Sequence, residues 1–231
     1  MRPRIFRQQL DALQTTLARR VDELVRVPAP DTLHALRVAL RRMRTLLRPL
    51  AGRKAFSALY EQAGRVLEAT GPLRDIEVLI EDLAAHQREH AAYLRQRRLD
   101  AGLMELIGRS ELLDLEAECR PRPAHAPLIA LPDREALEKR CRKVLERDHC
   151  RLLEQLQAPG HDLHRLRLDI KQLRYQLEAR MPPAGDRRVR ELENAQNVLG
   201  RWHDRQVWLS CARDESDLQS CVSRWTRESN A

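Results

Sequence analysis

Glycine and aromatic residues are scarce in this chain: 8 glycines and 3% aromatics in 231 residues. So little glycine argues against a turn-rich all-β fold, and so few aromatics leave little with which to stack nucleobases. No run of about 18 apolar residues occurs, so no membrane-spanning helix is expected. The five cysteines, Cys119, Cys141, Cys150, Cys211 and Cys221, are odd in number and form no C-x-x-C pair. Reduced thiols in a cytoplasmic protein are the expectation rather than a disulfide framework. The amino-terminal MRPRIFRQQL lacks the apolar stretch of a secretory signal. Phosphate-loop, dinucleotide-binding, serine-hydrolase and H-E-x-x-H zinc motifs are also missing.

What is abundant is Leu, Ala, Arg and Glu, the composition of an all-α protein. Lys and Arg number 42 against 34 Asp and Glu, for a net charge of +8 and a pI near 9.8. That balance favours a polyanionic partner without choosing among nucleic acid, polyphosphate and acidic surfaces.

Start and stop signals divide the chain into helices. The first spans about 4–26 and ends at Pro28-Ala29-Pro30. Asp31 is placed to cap a second that reaches Leu50. A third covers about 54–70, and Gly71-Pro72 opens a fourth. Two more run from 88 to 107 and from Ser110 to Cys119. Residues 121–132 hold four prolines and mark a boundary. Beyond it follow helices at 133–157, from Asp162 to the Pro182-Pro183 break, from Asp186 to Gly200, and from Arg201 to Trp225.

The second half repeats the first. LHALRVALRRMRTLL (33–47) matches LHRLRLDIKQLRYQL (163–177), and GPLRDIEVLI (71–80) matches GRWHDRQVWL (200–209). Matched segments in one order point to a tandem duplication. The expectation is a single domain, 1–231, built as two pseudo-symmetric antiparallel four-helix bundles, 1–120 and 121–231, with a basic groove between them.

The chemistry sits on the matched helices. His34, Arg37, Arg41, Arg44 and Arg48 recur at steps of three and four, so they share one helical face, and Arg42 adjoins them. His164, Arg167, Lys171 and Arg174 repeat the figure. No acid lies between Leu33 and Leu50, and Asp169 points away from the second row, so pairing within each helix cannot neutralise them. Guanidinium forks fit phosphate oxygens, and facing rows could grip a chain of phosphates. A solvated, ion-paired surface is the plain alternative. His34 and His164 lie in first turns, where they either cap or donate to phosphate at the positive helix end. Asp75 and Asp204, at matched positions, are expected to orient arginines rather than to catalyse. A further basic row, Arg140, Lys143, Arg147 and Arg151, is as compatible with a solvated face as with a site. The three tryptophans are expected in the core. No metal or cofactor site is expected.

His-x-x-Arg-x-x-x-Arg-Arg-x-Arg followed by Leu-Arg-Asp-Ile-Glu-Val-Leu, with both blocks repeated, resembles the CHAD (conserved histidine α-helical domain) family over nearly the whole chain. The resemblance implies two pseudo-symmetric bundles, a basic central groove that binds inorganic polyphosphate, placement on polyphosphate granules for some members, and no catalysis. It carries polyanion contact to the His34 and His164 rows. Gln172 in place of the residue matching Arg42, and His203 in place of the one matching Arg74, imply a weaker second wall, as does Glu178 opposite Arg48. Nucleic-acid binding and metal-dependent phosphate processing remain the alternatives, and the oligomeric state stays open.

Overall fold

The structure is a computed structural model that describes residues 2–119, 130–160, 162–179 and 186–230. The proline-rich boundary at 121–132 therefore lies mostly outside the described residues, as does the Pro182-Pro183 break. Every regular element among the described residues is helical. In order they are α1 (Pro3–Arg26), α2 (Pro30–Leu47), a 3-10 turn (Arg48–Leu50), α3 (Lys54–Ala69), α4 (Gly71–Ala85), α5 (Glu89–Ile107), α6 (Ser110–Cys119), α7 (Arg134–Gln157), α8 (Leu163–Glu178), α9 (Arg187–Asp214), a 3-10 turn (Ser216–Leu218) and α10 (Gln219–Ser229).

Local chemistry sets most of these ends. Asp133, Asp162 and Asp186 accept hydrogen bonds from the backbone N–H of Ala136, Arg165 and Arg188, each satisfying an orphan donor of a first turn. At α2 the cap falls earlier than expected. Pro30 takes the first helical position, Asp31 lies inside the first turn, and the Thr32 hydroxyl accepts from the Ala29 N–H. The break expected at Gly200 does not occur, because α9 runs straight through it and ends at Asp214. Its counterpart, Gly71, is followed by Pro72, whose missing N–H suits a helix start and nothing later. Gly200 is followed by Arg201, so nothing interrupts the hydrogen-bond ladder. The expected 201–225 helix is thus divided between α9 and α10.

Three apolar cores result. The largest gathers Phe6, Leu17, Leu24, Leu33, Leu36, Leu40, Met43 and Leu47 with residues of α3, distal α5 and α6, and it also takes in Leu137 and Cys141 of α7. A second joins Leu79, Leu83, Ala91 and Ala92 to Trp208, Ala212, Leu218, Cys221 and Trp225. A third packs Leu152 against Leu166, Ile170, Leu173 and Leu177. Trp208 and Trp225 lie in the core as expected, whereas Trp202 is only half-buried. All five cysteines are free thiols.

The first two cores cross from one sequence half to the other, and so do the ion pairs of Arg48, Arg224 and Arg95. Arg48 grips Asp148 with two hydrogen bonds of 2.7 Å. Arg224 holds Asp82 at 2.9 and 2.6 Å, and the Trp225 indole N–H donates to the same carboxylate at 3.0 Å. Arg95, 2% exposed, pairs with Asp217 and Glu215. A buried guanidinium stripped of such a partner would be left uncompensated, so these contacts fix how the two halves sit. They hold α2 beside α8 and α4 beside α9, where the matched basic and acidic motifs lie.

Gly200 gives a direct check on the uninterrupted α9. A Cβ there meets nothing within 4 Å, so Gly200→Ala gains helix propensity without a clash. Urea denaturation is expected to show a stability increase of about 0.5–1 kcal/mol. A loss would mean that the backbone at 200 is not helical.

A candidate anion site between two basic helices

The two rows do not survive intact. Arg37 is buried. Its Nη1 donates to the Leu67 carbonyl at 2.9 Å and to the Thr70 hydroxyl, which anchors α2 to the end of α3 where the chain turns into α4. Burial, then Arg41 nearby, pushes its pKa down to about 10, so it stays charged at neutral pH. Arg44 lies over the Tyr60 ring, 4.6 Å from its centroid. Gly64 allows that approach, since a Cβ would sit 3.3 Å from the guanidinium carbon. Arg41 is half-buried and Arg42 exposed, and neither has a hydrogen bond or ion pair among the described residues.

Arg48 leaves the row altogether. Pro49 follows it, α2 ends at Leu47, and the 3-10 turn delivers Arg48 to Asp148 on α7. The two side chains are 13% and 2% exposed. This pair is structural, and it commits both terminal nitrogens of Arg48 to the fold. The partner lies 100 residues away, so no local pattern announced it.

On α8, Arg167 and Lys171 are half-buried and have no hydrogen bond or ion pair among the described residues. Arg174 is more constrained. Its Nε donates to Gln196 at 2.9 Å, its Nη1 pairs with Glu178, and its guanidinium lies 4.5 Å from the Tyr175 ring centroid. His34 is exposed just past the first turn of α2, which starts at Pro30. His164 is exposed in the first turn of α8, its Nδ1 3.4 Å from that of His203. The substitution at 203 thus places a second imidazole beside the first. The expected imbalance between the walls also disappears. With Arg48 removed, Arg37 bonded internally and Arg44 laid over Tyr60, Arg41 and Arg42 from α2 and Arg167 and Lys171 from α8 are the row cations left without a hydrogen bond or ion pair among the described residues.

These cations meet. Lys171 feels Arg41 and Arg37 from α2 as well as Arg167 and Arg174 from its own helix. Farther along, Gln176 donates to the Thr45 carbonyl at 3.4 Å. Position numbers rise together along the two helices, so α2 and α8 run side by side in the same direction. Their amino-terminal ends, which carry the positive poles of both helix dipoles, therefore lie at one end of the junction with the histidines. Burial and the four arginines push the Lys171 amine down to about 7 from the usual lysine range. Burial, then Arg167, His164 and Lys171, pushes His203 down to about 4. In both shifts burial comes first and neighbouring positive charge second, so the cluster is partly dry as well as crowded.

Besides Glu178, which pairs with Arg174, the acids whose fields reach these cations are Asp75 and Asp204, from α4 and α9. Neither forms a direct ion pair among the described residues, so the expected role of fixing an arginine rotamer is not what the geometry displays. They act at longer range. Asp75 reaches solvent, yet the protein around it raises its pKa, while Arg37, Arg167, Arg74 and Lys171 pull it back down. Asp204 is likewise raised by burial and opposed by Arg167. Arg74, beside Asp75, is occupied by Glu77. The α7 row of Arg140, Lys143, Arg147 and Arg151 is exposed, and Arg151 lies 3.9 Å from Asp169.

Toward the carboxyl ends of α2 and α8 the junction opens into a cavity of about 790 Å³. Arg41, Arg42 and Arg174 line it together with Leu13, Val38 and Tyr175. Among the described residues no group of three or more His, Cys, Asp or Glu side chains is placed to hold a metal ion. No helix among them is long and apolar enough to cross a membrane.

The sequence model of the family described as "CHAD domain" matches residues 4–213. No curated protein matches the chain. Among solved structures, the crystal structure of the CHAD domain from the plant Ricinus communis is similar with a TM-score of 0.64 at 19% identity, covering 96% of this chain and 82% of that one. At that identity the likeness speaks to the fold alone.

Lys171 gives the geometry a pH signature. In the unfolded chain the amine titrates near its ordinary 10.5, and in the folded protein at about 7. Between these values the unfolded state binds more protons, so stability rises with pH over that window and is flat below it. Urea midpoints of the ligand-free protein should increase from pH 7 to 9.5, and Lys171→Met should abolish most of the increase. An equal increase in the variant would contradict the assignment.

Proposed function

The chain belongs to the CHAD domain family, and on that premise we propose that it is a non-catalytic binding module for inorganic polyphosphate. One observation carries the reading: Arg41, Arg167 and Lys171 converge from two parallel helices and have no ion pair among the described residues. Such a junction costs folding energy when empty, and a linear chain of phosphates supplies closely spaced negative charge along its length. Arg42 and Arg174 extend the path into the cavity, and His34, His164 and His203 stand at its other end. The ligand class follows from what lines the path. Guanidinium and ammonium groups hold phosphate oxygens, while few aromatic faces are present to hold bases. The family resemblance points the same way. A cytoplasmic location, with association to polyphosphate granules, belongs to the same proposal.

Long-chain polyphosphate should bind at low salt and weaken as salt rises, because each phosphate contact releases counterions. Arg41→Glu/Arg167→Glu should cost at least tenfold in affinity with helicity unchanged by circular dichroism. Arg140→Glu/Lys143→Glu, which makes the same change in net charge on the outer face of α7, should cost far less. Equal losses in both variants would reduce the effect to overall charge. Duplex DNA displacing polyphosphate at equal phosphate concentration would favour a nucleic-acid partner, and phosphate release with magnesium or manganese would make the protein an enzyme.

A further inference from the structure

We infer that Glu178 is an internal stand-in for phosphate: its carboxylate holds Arg174 in the free protein, and a polyphosphate chain that reaches the cavity displaces it. This rests on the polyphosphate reading above and names the residue that limits the grip at the cavity end of the same site.

The contacts of Arg174 carry the inference. Its side chain is 12% exposed and is met from two helices. Nε donates to Gln196 of α9 at 2.9 Å, and Nη1 donates to Glu178, one turn along α8. Glu193 of α9 stands 3.9 Å away, and the guanidinium lies over the Tyr175 ring. Arg44, at the matched position of α2, lies over Tyr60 and has no ion pair among the described residues. The difference is written in the sequence, where Glu178 stands at the position matching Arg48. The two ion pairs at these positions are unlike. Asp148, which locks Arg48, is 2% exposed, whereas Glu178 is 34% exposed. The first acid has nowhere to go without being left buried and unpaired, and the second can turn out into water.

Arg174 and Glu178 both line the cavity into which Arg41 and Arg42 lead. A phosphate that reached Arg174 with Glu178 in place would set two anions against each other across one guanidinium. Phosphate and carboxylate oxygens accept from the same N–H groups, so one can take the place of the other. An isolated phosphate gains a single contact in that exchange. A chain already held by Arg41, Arg167 and Lys171 presents its next phosphate at high effective concentration, which drives the exchange forward. Removing the carboxylate therefore frees a cation on the path without altering the junction.

The test is titration of the full chain with long-chain polyphosphate at several salt concentrations. Glu178→Gln keeps the shape of the side chain and removes its charge. It should bind roughly threefold to tenfold more tightly than wild type. Its salt dependence should steepen by roughly 0.7 on a double-logarithmic plot, because one more cation is left for the ligand to neutralise. Glu193→Gln, farther from Arg174 and 52% exposed, should gain less. Glu191→Gln makes the same change in net charge at a residue paired with Arg187 outside the cavity, and should gain little. Equal affinities of wild type and Glu178→Gln, or equal gains in Glu178→Gln and Glu191→Gln, overturn the inference while leaving the function standing. Failure of polyphosphate to bind either wild type or Glu178→Gln at low salt overturns both. If Glu178→Gln does not fold, Glu178→Ala makes the same change in charge and is held to the same expectations.

Discussion

Like charges held close together in a partly dry junction are the constraint around which this molecule is organised. Arg37, Arg41, Arg167 and Lys171 could not stay near one another unless something stronger fixed α2 against α8. Their neighbours do that work. Leu36, Leu40 and Met43 on α2 are buried in one core, and Leu166, Ile170 and Leu173 on α8 in another. Cross-half pairs such as Arg48–Asp148 and Arg224–Asp82 add specific, directional locks. Hydrophobic burial is not sensitive to what the basic face does, so the fold can tolerate an electrostatic cost on that face.

The distinction between arginines that serve the fold and those that serve the site follows from the same constraint. A guanidinium joins a core boundary at least cost where its terminal nitrogens are met, and those of Arg37, Arg48, Arg95 and Arg224 each find a carbonyl, hydroxyl or carboxylate, although Nε of Arg37 and Arg95 stays unbonded. Arg41, Arg42 and Arg167 find none among the described residues. Residues of one type on one helical face thus divide into two jobs, and the division is decided by what the opposite element presents.

Much of this was legible in the sequence, and the rest was hidden for identifiable reasons. The helical class, the aspartate caps at 133, 162 and 186, the core leucines of the motif helices and the shared face of the basic rows all follow from period, composition and cap chemistry, which are local. The uninterrupted α9 departs from the expected break because Gly200 lacks the following proline that makes Gly71 a helix start. Arg48 was miscast because Asp148 lies on a distant helix. The depressed Lys171 and the His164–His203 contact depend on how the halves dock, which no helical wheel contains. The positions matched as Arg74 and His203 did carry a trace of it, as a difference between two otherwise similar motifs.

The central claim is that polyphosphate lies between α2 and α8. A crystal structure of the chain with a short polyphosphate tests it most directly. The account predicts phosphate oxygens within about 2.7–3.2 Å of the Arg41, Arg167 and Lys171 nitrogens, on a path leading toward the cavity beside Arg42. Phosphates on the outer face of α7, with the junction between α2 and α8 unchanged, would contradict it.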